Sequence, residues 1–225
     1  MKYNNVTDAF ELLFKDIMAD GVDFAGTKAL FNQSFTLLNP EDKVVTTPQR
    51  KFNQDYADYE WDWYLKGNRD ASQIAGRAKI WKEMMVPTTT EVNSNYGYFW
   101  KYNNQLNRVI DDLKFNKETR RAIVVHYILH EIDRYKYDTP CNDVLNFYIK
   151  DDKLHLTVFA RSIDLVFGFC NDQYTFAKLM EYVSRKTKYP VGQMHFFITN
   201  LHIYKRHWNL FDRKVDSNAV PLQTH

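Results

Sequence analysis

The chain has 225 residues and a formal charge of +2, which is long enough for one substantial core and too weakly charged to point to a nucleic-acid polymer or an anionic membrane surface. Two cysteines, with no secretory leader pattern and no long apolar run, lead us to expect free thiols in a reducing cytoplasm rather than a disulfide scaffold or a membrane span. No Pro/Gly/Ser-rich linker or internal repeat divides the sequence, so residues 1–225 are expected to form one domain.

Val6, Phe10, Leu13 and Ile17 recur at helical spacing before Gly21, predicting a packed helix over about residues 7–19. Ala29, Phe31, Gln33, Phe35 and Leu37 alternate as in a strand. Thr47-Pro48 reads as a helix start, with threonine as cap and proline in the first turn, and Gly67 as its end. On that helix Glu60 lies among Tyr56, Tyr59, Trp61, Trp63 and Tyr64, where partial desolvation would raise its pKa toward a value useful for proton transfer. Asn103-Asn104 can cap a further helix with the buried stripe Leu106, Val109, Ile110 and Leu113.

Arg120-Arg121 precedes the apolar strand pattern AIVVHYI. Its His126 and the following His130 and Glu131 do not make a zinc site, because two histidines sharing a strand face lack an evident third ligand. We therefore expect no metal. Residues 143–149 and 154–160 form a strand pair joined by the polar turn KDDK. Antiparallel pairing would then return Arg161 and Ser162, at the exit of the second strand, to Cys141 at the entrance of the first. A guanidinium beside a thiol favours the thiolate. The same pattern also fits a buried, inert cysteine followed by a surface arginine. Cys141 with His155 is a second Cys-His pairing, but no third group or oxyanion element accompanies it. Tyr174, Phe176, Leu179, Met180 and Val183 give another buried helix, and MHFFITNLHIYKRHW a strand on which His202 and Tyr204, two residues apart, share a face.

TPCNDVLNFYI followed by RSIDLVFGFCND resembles the thymidylate synthase family, whose signature is Pro-Cys, a strand, and then R-S-x-D-x-x-x-G-x-x-x-N. Arg161, Ser162, Asp164 and Gly168 match without a gap, while Asp172 stands where the pattern has asparagine. That departure resembles the pyrimidine hydroxymethylase branch, in particular the phage-type deoxycytidylate (dCMP) hydroxymethylases. EWDWYLKG resembles the segment carrying the general acid/base glutamate, here Glu60; KIWKEM carries Trp81, similar to a tryptophan on the folate side; EVNSNYGYFW carries Tyr96; and LHIY resembles H-[VI]-Y, giving His202 and Tyr204. The motifs occur in family order from Glu60 to His207, with weaker agreement before Gln49.

The resemblance implies an α+β, thymidylate synthase-like fold with a large mixed β-sheet flanked by helices, one sheet face packed in a homodimer. It implies Cys141 as nucleophile, Glu60 organising water and proton transfer, Asp164 holding the folate, and Asp172 reading the base. Arg161 and Ser162, with Arg120 and Arg121 of a second copy, would bind the nucleotide phosphate; His202 and Tyr204 the deoxyribose hydroxyl. The co-substrate would be 5,10-methylenetetrahydrofolate. An arginine usual in the loop before the first long strand is missing, with only Lys28 nearby. The branch suggests a phage enzyme acting in its host's cytoplasm, making dCMP-derived DNA precursors. A dUMP hydroxymethylase, a methyl-forming synthase and a non-catalytic homodimer remain open alternatives.

Overall fold

The computed structural model describes residues 1–213; residues 214–225, most of the polar C-terminal tail for which the family resemblance implies closure over the folate, lie outside the described residues. The strands are β1 (Lys2–Tyr3), β2 (Val22–Phe24), β3 (Thr27–Leu37), β4 (Ile123–Val125), β5 (Asn142–Lys150), β6 (Lys153–Asp164) and β7 (Val191–Tyr204). The α-helices are α1 (Val6–Asp20), α2 (Gln54–Lys66), α3 (Ile80–Glu83), α4 (Tyr96–Lys101), α5 (Gln105–Phe115) and α6 (Cys170–Thr187).

The strands form one mixed sheet in the order β1-β3-β7-β6-β5-β4, with β2 pairing β3. β6 and β7 run parallel, whereas β3 with β7, β5 with β6 and β4 with β5 are antiparallel. This is the α+β fold and large mixed sheet expected from the sequence. Alternation explains how the sheet is covered. Met194, Phe196 and Ile198 of β7 and Leu156, Val158 and Ala160 of β6 are buried in the same core cluster as the apolar stripes of α1 and α6. Phe159 and Phe197, on the opposite face, are 39% and 45% exposed and stack on each other at 5.2 Å.

Local chemistry accounts for most boundaries. Asn5 accepts from Asp8 N–H to start α1, and Asn53 accepts from Tyr56 N–H to start α2. Asp151 and Asp152 both adopt positive φ between β5 and β6, the geometry of a tight hairpin turn at KDDK. Four expectations need correction. α2 begins at Gln54, not at Thr47-Pro48, because Arg50 is drawn into the core, where its Nε donates to the Val166 carbonyl, and Lys51 takes positive φ. β6 continues to Asp164, so Arg161 and Ser162 lie inside the strand rather than at its exit. β4 ends at Val125, and His130 falls on a 3-10 helix at Leu129–Lys136, so His126 and His130 do not share a strand face. Asn104 does cap α5, but from the left-handed region and without a side-chain bond to the helix N–H groups.

Candidate active site

β6 and β7 deliver their last residues to the same end of the sheet, since they are parallel. There Ser162 lies beside Asn200 and Asp164 beside His202. The antiparallel return from β5 brings Cys141 to that end: Asn142 pairs with Ala160, and Arg161 N–H donates to the Cys141 carbonyl at 3.0 Å. The juxtaposition of Cys141 with Arg161 expected from the two strand patterns is therefore present.

Arg161 braces the turn that carries the thiol. Its Nε donates to the Pro140 carbonyl at 3.0 Å and its Nη2 to the Thr139 carbonyl at 2.7 Å, with the same nitrogen 3.8 Å from Cys141 Sγ. Asp138 fixes the other flank, accepting from the Asn93 and Ser94 amides and from Ser94 Oγ. The electrostatic balance differs from the sequence expectation. Burial pushes the Cys141 thiol up to about 12, outweighing the opposite pull of Arg161. Burial thus favours the thiol form of Cys141 over the thiolate. Cys170 is a free thiol as well, fully buried, with its S–H directed at the Leu165 carbonyl.

α2 and α4 supply the floor. Gly97 allows them to touch, because a Cβ there would lie 1.5 Å from the Tyr64 carbonyl oxygen. The close approach lets Tyr96 stack between Tyr64, at 5.1 Å, and His126, also at 5.1 Å. His126 is buried and neutral: burial lowers its pKa to about 4, while its Nδ1 bonds the Asn142 carbonyl and its Nε2 accepts from Trp100 Nε1. The histidine considered as a metal ligand is thus part of the packing beneath the cysteine.

Glu60, 4% exposed, accepts from Tyr56 OH at 2.7 Å, and Tyr56 OH accepts from Trp81 Nε1 at 2.7 Å. Burial lifts Glu60 to about 8, with the Asp172 charge adding to the rise and the Tyr56 hydrogen bond opposing it. The desolvation expected from its aromatic surroundings is realised. Trp81, buried against Trp63 at 4.8 Å, reaches the site through this hydrogen-bonded chain. Because the folded value of Glu60 lies above that of an unfolded glutamate, about 4.3, the folded chain binds more protons between the two. Its contribution to stability is complete below about pH 4 and is lost as pH rises through about 8. The melting temperature of wild type relative to Glu60→Gln should therefore fall from about pH 5 to about pH 9. A difference that stays constant, or that grows in favour of wild type over that interval, contradicts this assignment.

Asp172 sits in the first turn of α6, which follows a π-helical turn at Leu165–Phe169 capped by Asp164. Asp164 accepts from the Val166 and Phe167 amides at 3.2 and 3.0 Å. Beyond that turn Asp172, not Asn171, accepts from Asn142 Nδ2 at 3.1 Å; Tyr96 OH also hydrogen-bonds the carboxylate. Burial raises Asp172 to about 7 against those two bonds. His202 is buried, its Nδ1 2.9 Å from Asn200 Oδ1 and 3.5 Å from Ser162 Oγ, and its ring meets the edge of Tyr204 at 5.1 Å.

Cys141, Arg161, Ser162, Asp164, Asp172, Tyr96, Glu60, Trp81, His202 and Tyr204 are thus connected at one end of the sheet. Arg120 and Arg121 are not. Ala122 bonds Phe147, six residues beyond Cys141 along β5, or about 20 Å at about 3.3 Å per residue. Arg121 lines a cavity of about 280 Å³ with Arg108, Asp112 and Ile123. Lys28 lies in β3 with its ammonium 5.6 Å from the Trp208 ring centroid. Sequence reading missed Asn142 and Asp138, whose partners are distant in the chain and leave no local pattern; Tyr56 was placed beside Glu60, but its bond to Trp81, 25 residues away, was not foreseen.

The thymidylate synthase family profile matches residues 9–224. The deoxycytidylate 5-hydroxymethyltransferase of Enterobacteria phage T4 is 29% identical over 177 residues, covering 71% of each chain; its counterpart from phage T2 matches equally. Thymidylate synthase 1 of Bacillus spizizenii is 27% identical over 222 residues, covering 88% of this chain and 79% of its own.

Proposed function

We propose that this chain, which belongs to the thymidylate synthase family, transfers the one-carbon unit of 5,10-methylenetetrahydrofolate to carbon 5 of dCMP, giving 5-hydroxymethyl-dCMP and tetrahydrofolate. The observation that carries the reading is Asp172: a carboxyl enclosed beside Cys141, held by Asn142 and Tyr96, and raised to about 7. Such a group is partly protonated at neutral pH. It can donate to the ring nitrogen of cytosine and accept from the exocyclic amine, a pattern that uracil reverses. The similarity to the phage hydroxymethyltransferases supports the same choice.

Cys141 gives up its proton and adds through sulfur to carbon 6; the 5,6 double-bond pair moves to carbon 5, which attacks the folate methylene. Removal of the carbon-5 proton then drives elimination: its electron pair forms the exocyclic methylene while the bond from that methylene to the folate nitrogen breaks, and tetrahydrofolate leaves with a proton on that nitrogen. Water, organised by Glu60, adds to that methylene, and expulsion of Cys141 restores the 5,6 double bond. Arg161 and Ser162 bind the phosphate, His202 and Tyr204 the deoxyribose hydroxyl, and Asp164 and Trp81 the folate side. Methyl formation is the second reading, favoured by the longer match to the Bacillus thymidylate synthase. Only that reaction oxidises the folate. With dCMP and methylenetetrahydrofolate, substrate should therefore be consumed without any absorbance change from dihydrofolate; stoichiometric dihydrofolate would overturn the hydroxymethyl assignment.

Arg120 and Arg121 act in a homodimer, reaching the phosphate bound by the other copy. Two features support this: their separation from Cys141 within one chain, and the bare sheet face bearing Phe159, Phe197 and Ile123, the last 45% exposed. Arginine suits the task because its planar fork binds phosphate oxygens in pairs. Arg121→Ala and Cys141→Ser chains, each inactive alone, should regain activity when mixed, since one of the two sites in each heterodimer is intact. A confirmed heterodimer without activity would contradict shared sites. The chemistry requires a reduced thiol, consistent with a role in the cytoplasm.

A further inference from the structure

We propose that Tyr56 is a positioning residue for the water-addition step: its hydroxyl, locked as a donor by Trp81, binds one oxygen of Glu60 and leaves the other as the place where the Glu60 proton comes and goes. The inference rests on the hydroxymethyl reading and deepens it. Tyr56 and Glu60 lie four residues apart on α2, a spacing that sets their side chains next to each other along the helix. Tyr56 OH is 2.7 Å from Glu60 Oε1 and 2.7 Å from Trp81 Nε1, and all three residues are buried. An indole N–H can only donate. The Tyr56 oxygen is therefore the acceptor from Trp81, and its single proton goes to Glu60. Oε1 then accepts whether Glu60 is charged or neutral, so the exchangeable proton belongs to Oε2.

The surroundings give this bond its weight. Glu60 makes no ion pair among the described residues, and the titratable groups acting on it are Tyr56 and Tyr64 of α2, Tyr96 of α4 and Asp172 of α6. Burial holds the three tyrosines well above the ordinary phenol value, so they stay neutral. Asp172 repels a second carboxylate. Against that repulsion and the loss of hydration, the Tyr56 hydroxyl is the one neighbour among the described residues that favours the charged form of Glu60. It keeps a fraction of the carboxylate present at neutral pH. During water addition the water oxygen bonds the exocyclic methylene, the exocyclic double-bond pair becomes the 5,6 double bond, the carbon 6 to sulfur pair leaves on Cys141, and the water proton passes to Oε2.

The test is an infrared titration of the Glu60 carboxyl in the full-length protein, its band identified by its disappearance in Glu60→Gln, together with kcat and KM for dCMP at neutral pH. The wild-type midpoint should lie near 8. In Tyr56→Phe it should rise by about one pH unit or more, the loss expected for a hydrogen bond to a charged group, and kcat should fall about tenfold as the carboxylate fraction falls with it. KM for dCMP should change less than about twofold, since Tyr56 acts through Glu60. Trp81→Phe covers a Tyr56→Phe chain that fails to fold: without the indole donor, Tyr56 can turn and accept from protonated Glu60, so the midpoint should rise there as well. The titration needs no turnover, which separates the two claims. A wild type that forms no 5-hydroxymethyl-dCMP removes the hydroxymethyl reading. A midpoint unchanged in either folded variant, or a raised midpoint in Tyr56→Phe with unchanged kcat, overturns this inference alone.

Discussion

Cys141→Ser should reduce turnover to background, a loss on the order of 10⁴-fold or more for removal of a covalent nucleophile, while Cys170→Ser should leave the reaction running. The two thiols are both pushed upward by burial, to about 12 and about 11, so acidity does not separate them. Position does. Cys141 Sγ stands 3.8 Å from the Arg161 guanidinium at the end of the sheet where Asp164, Asp172 and His202 meet, whereas Cys170 is wholly buried in the core. Serine is slightly smaller than cysteine, and its hydroxyl is a poor nucleophile at neutral pH, so the variant should fold and bind nucleotide. Turnover surviving Cys141→Ser, or lost only in Cys170→Ser, would contradict the assignment.

The raised Cys141 thiol also constrains the timing of its attack. A group held near 12 is almost entirely protonated at neutral pH, so the thiolate has to form when the base is in place. Glu60 at about 8 and Asp172 at about 7 are the carboxyl groups near the cleft whose protonation changes around neutrality. Their burial keeps both available as proton donors, and the repulsion between them means that the ionisation of Asp172 helps hold the proton on Glu60.

The strand pair carrying Cys141 and Arg161 was legible because its information is local. Alternating β-branched and aromatic residues, a polar KDDK turn and antiparallel pairing were sufficient to bring residues 20 apart into contact. Glu60 was legible in the same way, from the aromatic residues of its own helix. The ordered motifs gave the remaining candidates through resemblance rather than geometry.

What remained hidden depends on tertiary burial. Asn142 meets Tyr96 and Asp172, which are 46 and 30 residues away, and no pattern near Asn142 announces either contact. Arg161 was expected to favour a thiolate, but that expectation counted charge without desolvation, and desolvation proved the larger effect. Thr47-Pro48 has good helix-start chemistry, yet burial of Arg50 against the π-helical turn holds the chain out of helix until Asn53 can cap it. His126, considered for a metal only because of its spacing to His130 and Glu131 and set aside, stacks on Tyr96 and has bonds at both ring nitrogens, which explain its presence.

Asp172→Asn should reverse nucleotide preference, and measuring kcat/KM for dCMP and dUMP on wild type and this variant tests the central claim most directly. The carboxyl at about 7 supplies both a donor and an acceptor to cytosine; an asparagine amide in its place can donate to the uracil carbonyl and accept from the protonated ring nitrogen. A mismatched pair leaves buried polar groups unsatisfied, and sites of this kind discriminate by factors on the order of 10⁴. The dCMP preference of wild type should also weaken as pH rises through about 7, because deprotonation removes the donor to nitrogen 3. The account predicts a wild type that prefers dCMP and an Asp172→Asn variant that prefers dUMP; a wild type that prefers dUMP, or a dCMP preference unaffected by Asp172→Asn, would contradict it.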